Sequence, residues 1–295
     1  MTSAFARLIH GGSLSFWTRR RLLWLLFFML LFALFLWAPT PYDPNAQLTT
    51  GLSPDGLPLS PSWAHPFGTD TLGRDELSRA IVGGRLSLII GVVGSLVATT
   101  IGSAIGLAAG YLRGWIGSVL MRFTDVMMAF PYLLLAAALQ AVLGPGIGNL
   151  LIVIGAVTWV NAARVVNGLT LSETRRDYVS SLVALGIPRW RILTRHILPN
   201  ISTPVIVLFT TGISYTILLE ATLSYLGLGV QPPTATWGNM IRDGQSYFQS
   251  APWLVLAPGL LLIAVVTVLS LVSDRVTDRS FRQARITRAA LSNLG

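Results

Sequence analysis

Six long apolar runs constrain this chain more than any other feature; they lie near residues 22–38, 86–110, 123–142, 149–163, 201–223 and 254–272. A helix crossing a hydrocarbon layer of about 30 Å needs roughly 20 predominantly apolar residues. The runs reach or approach that length, the fourth being the shortest. Composition agrees: the chain is 53% hydrophobic and 11% charged, whereas soluble domains hold about 45–50% apolar and about 25% charged residues. The sequence therefore predicts an all-α polytopic membrane protein with six transmembrane helices.

The net charge of +9 would ordinarily raise nucleic acid as a partner. Its distribution excludes that reading. The chain has no lysine, so all 21 basic residues are arginine, and they gather at the ends of the apolar runs. With the N-terminus placed inside, only Arg74, Arg79, Arg85 and Arg242 fall outside. Such a bias predicts both termini in the cytosol. The chain then divides into a cytosolic N-terminus with the first span (1–38), an extracytoplasmic loop (39–85), a five-helix core (86–273) with a cytosolic loop at 170–200, and a cytosolic tail (274–295). A cleaved signal peptide is the rival for the first run, because Arg19, Arg20 and Arg21 precede it. Its Trp37-Ala38-Pro39 ending lacks a small-x-small cleavage site, which favours an anchor. The absence of cysteine excludes disulfides and thiolate chemistry. The absence of lysine excludes a Walker A phosphate loop, so work from ATP must come from another subunit.

Gly94, Ala98, Gly102, Gly106 and Gly110 recur every four residues in the second run and form a ridge without bulk. Such a ridge predicts close helix packing. Prolines 39, 41, 44, 54, 58 and 61 forbid a long helix before it. The segment Phe67-Gly68-Thr69-Asp70-Thr71-Leu72-Gly73-Arg74-Asp75 reads as capped turns. Leu77, Ile81 and Val82 then suggest a short amphipathic helix leading into the span.

The longest cytosolic loop carries most of the functional information. Asp177, Tyr178, Val179, Leu182 and Val183 have helical spacing, Gly186-Ile187-Pro188 breaks it, and Trp190, Leu193 and Ile197 begin a second apolar face. Two short helices joined at a glycine make a knob that carries Arg189, Arg191 and Arg195. Anchored by spans at both ends, it suits the passage of rigid-body motion into the bilayer. An amphipathic loop resting on anionic lipid suits the same residues, and the residues alone leave both readings open.

The stretch Asp177-Tyr178-Val179-Ser180-Ser181-Leu182-Val183-Ala184-Leu185-Gly186, with Arg195-His196-Ile197-Leu198-Pro199-Asn200 after it, resembles the EAA loop of binding-protein-dependent ABC permeases. The 68–75 turns, Phe123-Thr124-Asp125 with Pro131, the 221–229 segment and Trp237-Gly238-Asn239-Met240 extend the likeness to the C-type permeases of dipeptide, oligopeptide and nickel importers. The likeness covers roughly residues 60–280. Ser181 and Leu182 depart from the family's paired alanines, and the tail lacks its final Asp-Pro. The resemblance implies a type I importer fold in a bacterial inner membrane. It also implies a second permease chain, one or two cytosolic ATPases that bind ATP and magnesium, and an extracytoplasmic binding protein. It assigns ATPase coupling to Asp177, Tyr178, Val179, Leu182, Ala184, Gly186, Arg189, Arg195, His196, Leu198 and Pro199. Short peptides are the commonest cargo it implies, with nickel or another small solute as the alternative.

Glu220, near the outer end of the fifth run, is a candidate gate or structural acid, because intramembrane acids are costly. Asp125, a second translocation or gate candidate, is expected to pair with Arg122 or with the coupling loop, and Trp237 is the third candidate. Trp237, after Gln231-Pro232-Pro233, is expected to line an outer vestibule. His10, His65 and His196 lie in separate regions and predict no shared metal site, and no catalytic constellation has a usable spacing. An ion-coupled secondary transporter is the rival class, although no inverted repeat is evident.

Overall fold

The computed structural model describes residues 37–112 and 114–292, with side chains to residue 274. Apart from its last two residues, the first predicted span lies outside the described residues. Among the described residues are nine α-helices: α1 (Glu76–Leu112), α2 (Gly114–Ala129), α3 (Tyr132–Leu143), α4 (Ile147–Glu173), α5 (Asp177–Ala184), α6 (Arg189–Ile192), α7 (Leu198–Tyr225), α8 (Trp237–Gly244) and α9 (Trp253–Ser292). Four helical stretches among the described residues are long and apolar enough to cross a membrane. The pair α2 and α3 makes a fifth if taken as one span.

The first of these, α1, runs unbroken for 37 residues. The predicted short entry helix is thus the first turns of the span itself. Asp75 caps it by accepting bonds from the backbone N–H and hydroxyl of Ser78, at 2.8 and 2.6 Å. The small-residue ridge packs on α4. A β-carbon at Gly106 would sit 2.5 Å from the Ala163 carbonyl oxygen, and one at Gly110 would sit 2.7 Å from Thr170 Cβ. Rising residue numbers meet rising residue numbers, so α1 and α4 run parallel. The interface is close enough that backbone meets backbone. Replacing Gly106 with leucine is expected to cost upward of about 1–3 kcal/mol through overpacking, read as a lower thermal midpoint of the detergent-solubilised protein.

Two expected spans change shape. Residues 123–142 do not form one straight helix, because α2 and α3 meet at 89°. Pro131 lies at the break, where it lacks an N–H and its ring crowds the preceding turn. The expected fourth span, 149–163, extends to Glu173. Arginine at 164 does not end it, because a helix can continue beyond the hydrocarbon. The second half of the expected two-helix knob is likewise not a separate helix. From Arg189, α6 passes through a π-turn at Leu193–Ile197 directly into α7, giving one 37-residue stretch from Arg189 to Tyr225.

At the end of the bundle where α1 begins, residues 39–75 and 227–252 form a cap. Arg79, 2% exposed, ties its parts together. Its guanidinium pairs with Asp70 at 3.3 Å and donates to the carbonyls of Pro44 at 3.2 Å and Pro233 at 3.4 Å. Asp70 also takes the Arg74 Nε–H at 2.6 Å and the backbone N–H groups of Leu72 and Arg74. The expected capped turns are present, with Gly68 and Gly73 at φ 74° and 73°.

Candidate functional site

Two features are placed for function: a cavity at mid-span and a knob at the arginine-rich end. The midpoints of α1, α4 and α7 converge beside the α2–α3 break. They line a half-open cavity of about 600 Å³. Ser95 and Thr99 reach it from α1, Asn161 from α4 and Thr211 from α7. Met127 and Met128 line it just before the break. Tyr132, the first residue of α3, meets Tyr215 of α7 with ring centroids 5.2 Å apart. The break thus delivers a side chain to the cavity that a straight helix would carry past it.

The three expected pathway candidates lie elsewhere. Glu220 is fully buried and accepts hydrogen bonds from Ser87 Oγ at 2.9 Å and Ser224 Oγ at 2.7 Å. It therefore joins α7 to α1 within the bundle, and it does not line the cavity. Trp237, expected at an outer vestibule, is 0% exposed, and its indole N–H donates to the Ala80 carbonyl at 3.0 Å. The physical reason is its neighbourhood: Ala80, Ile213, Ile217 and Met240 form an apolar socket around it. Asp125 pairs with neither Arg122 nor the loop, but with Arg164 on α4. Both side chains are half-exposed, so this bridge contributes little stability by itself, while it does fix α2 against α4. Phe123 stacked on Trp159 reinforces the contact, with centroids 5.9 Å apart.

At the arginine-rich end, α5 stands between the end of α4 and the start of α7. Asp177 opens α5, where a carboxylate favours the helix N-terminus. Val179 is 3% exposed and packs with Val166, Ile192, Ile197 and Ile201. Tyr178 spans both neighbouring helices. Its hydroxyl donates to Glu173 Oε2 at 2.9 Å and accepts from Asn200 Nδ2 at 3.0 Å. Burial, then the Glu173 bond, pushes the phenol above its usual range. Arg176 closes on the other oxygen of Glu173 at 2.9 Å. Replacing Tyr178 with phenylalanine is expected to cost about 1 kcal/mol and to loosen the knob, read as faster amide exchange in α5.

Gly186 turns the chain with φ 73°, and Pro188 precedes α6. Around that turn Val183, Leu185 and Trp190 are 56%, 76% and 60% exposed. Arg191 lies over the Trp190 ring at 5.4 Å. Ala184, Gly186, Arg189, Arg195 and Pro199 are also exposed, whereas Leu182, His196 and Leu198 are half-buried. Expected coupling residues thus divide in two. Val179 and Tyr178 hold the knob to the bundle, and the residues around Gly186 form its free apolar tip. Leu185, an exposed apolar residue just before a turn glycine, is the signal that sequence reasoning passed over. Among the described residues no group of His, Asp or Glu is placed to hold a metal ion.

Residues 102–285 match the family described as binding-protein-dependent transport system inner membrane component. The chain is 40% identical to the di/tripeptide transport system permease protein DppC of Pseudomonas aeruginosa, over 86% of this chain and 85% of that protein. It is 38% identical to the glutathione transport system permease protein GsiD of Pectobacterium atrosepticum, over 86% and 83%. The dipeptide transport system permease protein DppC of Haemophilus influenzae is 35% identical over 88% and 89%.

Proposed function

Because the chain belongs to the family of binding-protein-dependent transport system inner membrane components, we propose that it carries short peptides across the membrane, driven by an ATPase docked on the tip around Gly186. It is a multi-pass permease subunit of an ABC importer and works with an ATPase and a substrate-binding protein. The arginine-rich end faces the cytosol, a placement the bias of basic residues supports, and the cap of residues 39–75 and 227–252 faces the binding protein. A second permease chain completes the pathway, and the ATP and magnesium sites lie on the ATPases.

The observation that carries this reading is the knob: an apolar, arginine-bearing tip fixed through Tyr178 to α4 and α7. A push on the tip reaches α4 and α7, two of the three long helices that wall the cavity. Asp125 and Arg164 carry the same displacement from α4 to α2. Glu220 and Trp237 act as structural ties within the bundle and the cap. Peptide cargo is supported by the di/tripeptide and glutathione permeases to which the chain is similar. The test is uptake of labelled dipeptides into proteoliposomes holding the whole complex. Uptake is expected to require ATP and to stop with vanadate. Uptake that continues without ATP while an ion gradient is held would replace this reading with ion-coupled exchange.

A further inference from the structure

Resting on the transport reading above, we propose that the mid-span cavity is a charge-blind cargo site, with Asn161 a neutral wall position that helps keep it so. Its volume of about 600 Å³ falls inside the roughly 300–1,000 Å³ of sites that hold small organic ligands. It sits where the midpoints of three spans meet, so a solute crossing beside this subunit passes it.

The lining contains hydroxyls, one amide, thioethers and hydrocarbon, and no acidic or basic residue among the described residues. Charge is nevertheless nearby in the same helices. Asp125 and Arg164 neutralise each other outside the lining, and Glu220 is sealed among hydroxyl donors. The spans have therefore kept their ionisable groups off this wall. Chemistry of this kind fits one class of cargo: an extended chain of amides whose side chains vary. The Asn161 amide and the hydroxyls of Thr99, Tyr132 and Tyr215 can meet N–H and C=O groups in either sense, while Ser95, whose hydroxyl donates to the Phe209 carbonyl at 2.7 Å, and Thr211, bonded to Ser273, keep lone pairs for N–H groups. Met127 and Met128 are unbranched and polarisable, and they adapt to side chains of different shape. A fixed charge here would attract half of all charged cargo and repel the rest.

The decisive experiment puts one charge of each sign on the wall. Proteoliposomes hold the complete complex with the unchanged binding protein, and the probes are Ala-Ala, Ala-Glu and Ala-Lys. With Asn161→Asp, uptake of Ala-Glu relative to Ala-Ala is expected to fall at least fivefold, with Ala-Lys retained. With Asn161→Lys the preference is expected to reverse. Met128→Glu and Met128→Lys, at a half-exposed lining position on a different helix, α2, repeat the test if Asn161 proves necessary for assembly. Opposite shifts from opposite charges cannot arise from a general packing defect. Wild-type uptake with peptide ratios unmoved, or moved alike by both charges, overturns the cavity assignment alone. A wild-type complex that imports none of the three overturns the transport reading, and the cavity assignment with it.

Discussion

Gly186→Val is expected to cut ATP-driven uptake about tenfold while the chain still inserts and assembles with its partners. The position has φ 73°, and a β-carbon there would meet nothing within 4 Å. The defect is therefore conformational, not a clash. A side chain in the left-handed region costs about 1–2 kcal/mol, and a β-branched one adapts least well. The chain relieves that strain by rotating the joint between α5 and α6. Rotation moves Leu185 relative to Trp190, the two sides of the exposed tip. A shift of roughly 1.4 kcal/mol away from the docked geometry is about a factor of ten. Gly186→Asn, which tolerates the left-handed region, is expected to recover most of the uptake. Uptake and ATP hydrolysis measured together separate the outcomes: hydrolysis without uptake is the expected valine result, and full uptake would remove Gly186 from the coupling path.

The same loop shows why some of the site was legible in the sequence and some was not. Gly186 with Pro188 could be read directly, because a glycine and a proline two residues apart leave few backbone alternatives. The two faces of α5 could not be separated. Its eight residues span little more than two turns, and Val179, Leu182 and Val183 are equally apolar. Only packing against Val166 and Ile201 shows that Val179 points inward and Val183 outward. Helix periodicity placed Trp190 on one apolar face with Leu193 and Ile197; the chain buries Ile192 and Ile197 and leaves Trp190 exposed.

Elsewhere the limit was long-range contact. The ridge from Gly94 to Gly110 announced a close partner, and α4 is that partner. The Asp125 partner was 39 residues away, beyond any local pattern. The break at Pro131 was visible as a proline but not as an 89° turn, because a proline within a span often produces only a kink. Since the cavity depends on that turn to receive Tyr132, it had no signature in the linear pattern of apolar residues.

The largest stability effect is expected at the other end of the molecule, where Trp237→Ala should cost about 3–5 kcal/mol. The indole fills the socket formed by Ala80, Ile213, Ile217 and Met240. The backbone beside it is already tightly packed: a β-carbon on Gly83 of α1 would lie 3.2 Å from the Thr236 Cα. The cap then loses its main apolar attachment to α1 and keeps chiefly the polar ones, among them the bond from Arg79 to the Pro233 carbonyl. Trp237→Phe keeps most of the ring and gives up the bond to Ala80, so the hydrogen-bond part of its cost is about 1 kcal/mol. Thermal unfolding in detergent should rank the proteins as wild type, then phenylalanine, then alanine. Function should separate along the same axis. With the cap loosened and the knob at the opposite end intact, stimulation of ATP hydrolysis by the binding protein is expected to fall more than basal hydrolysis does. Equal loss of both in the alanine variant would mean that Trp237 supports the whole bundle and not the cap alone. A midpoint unchanged from wild type would contradict the socket itself.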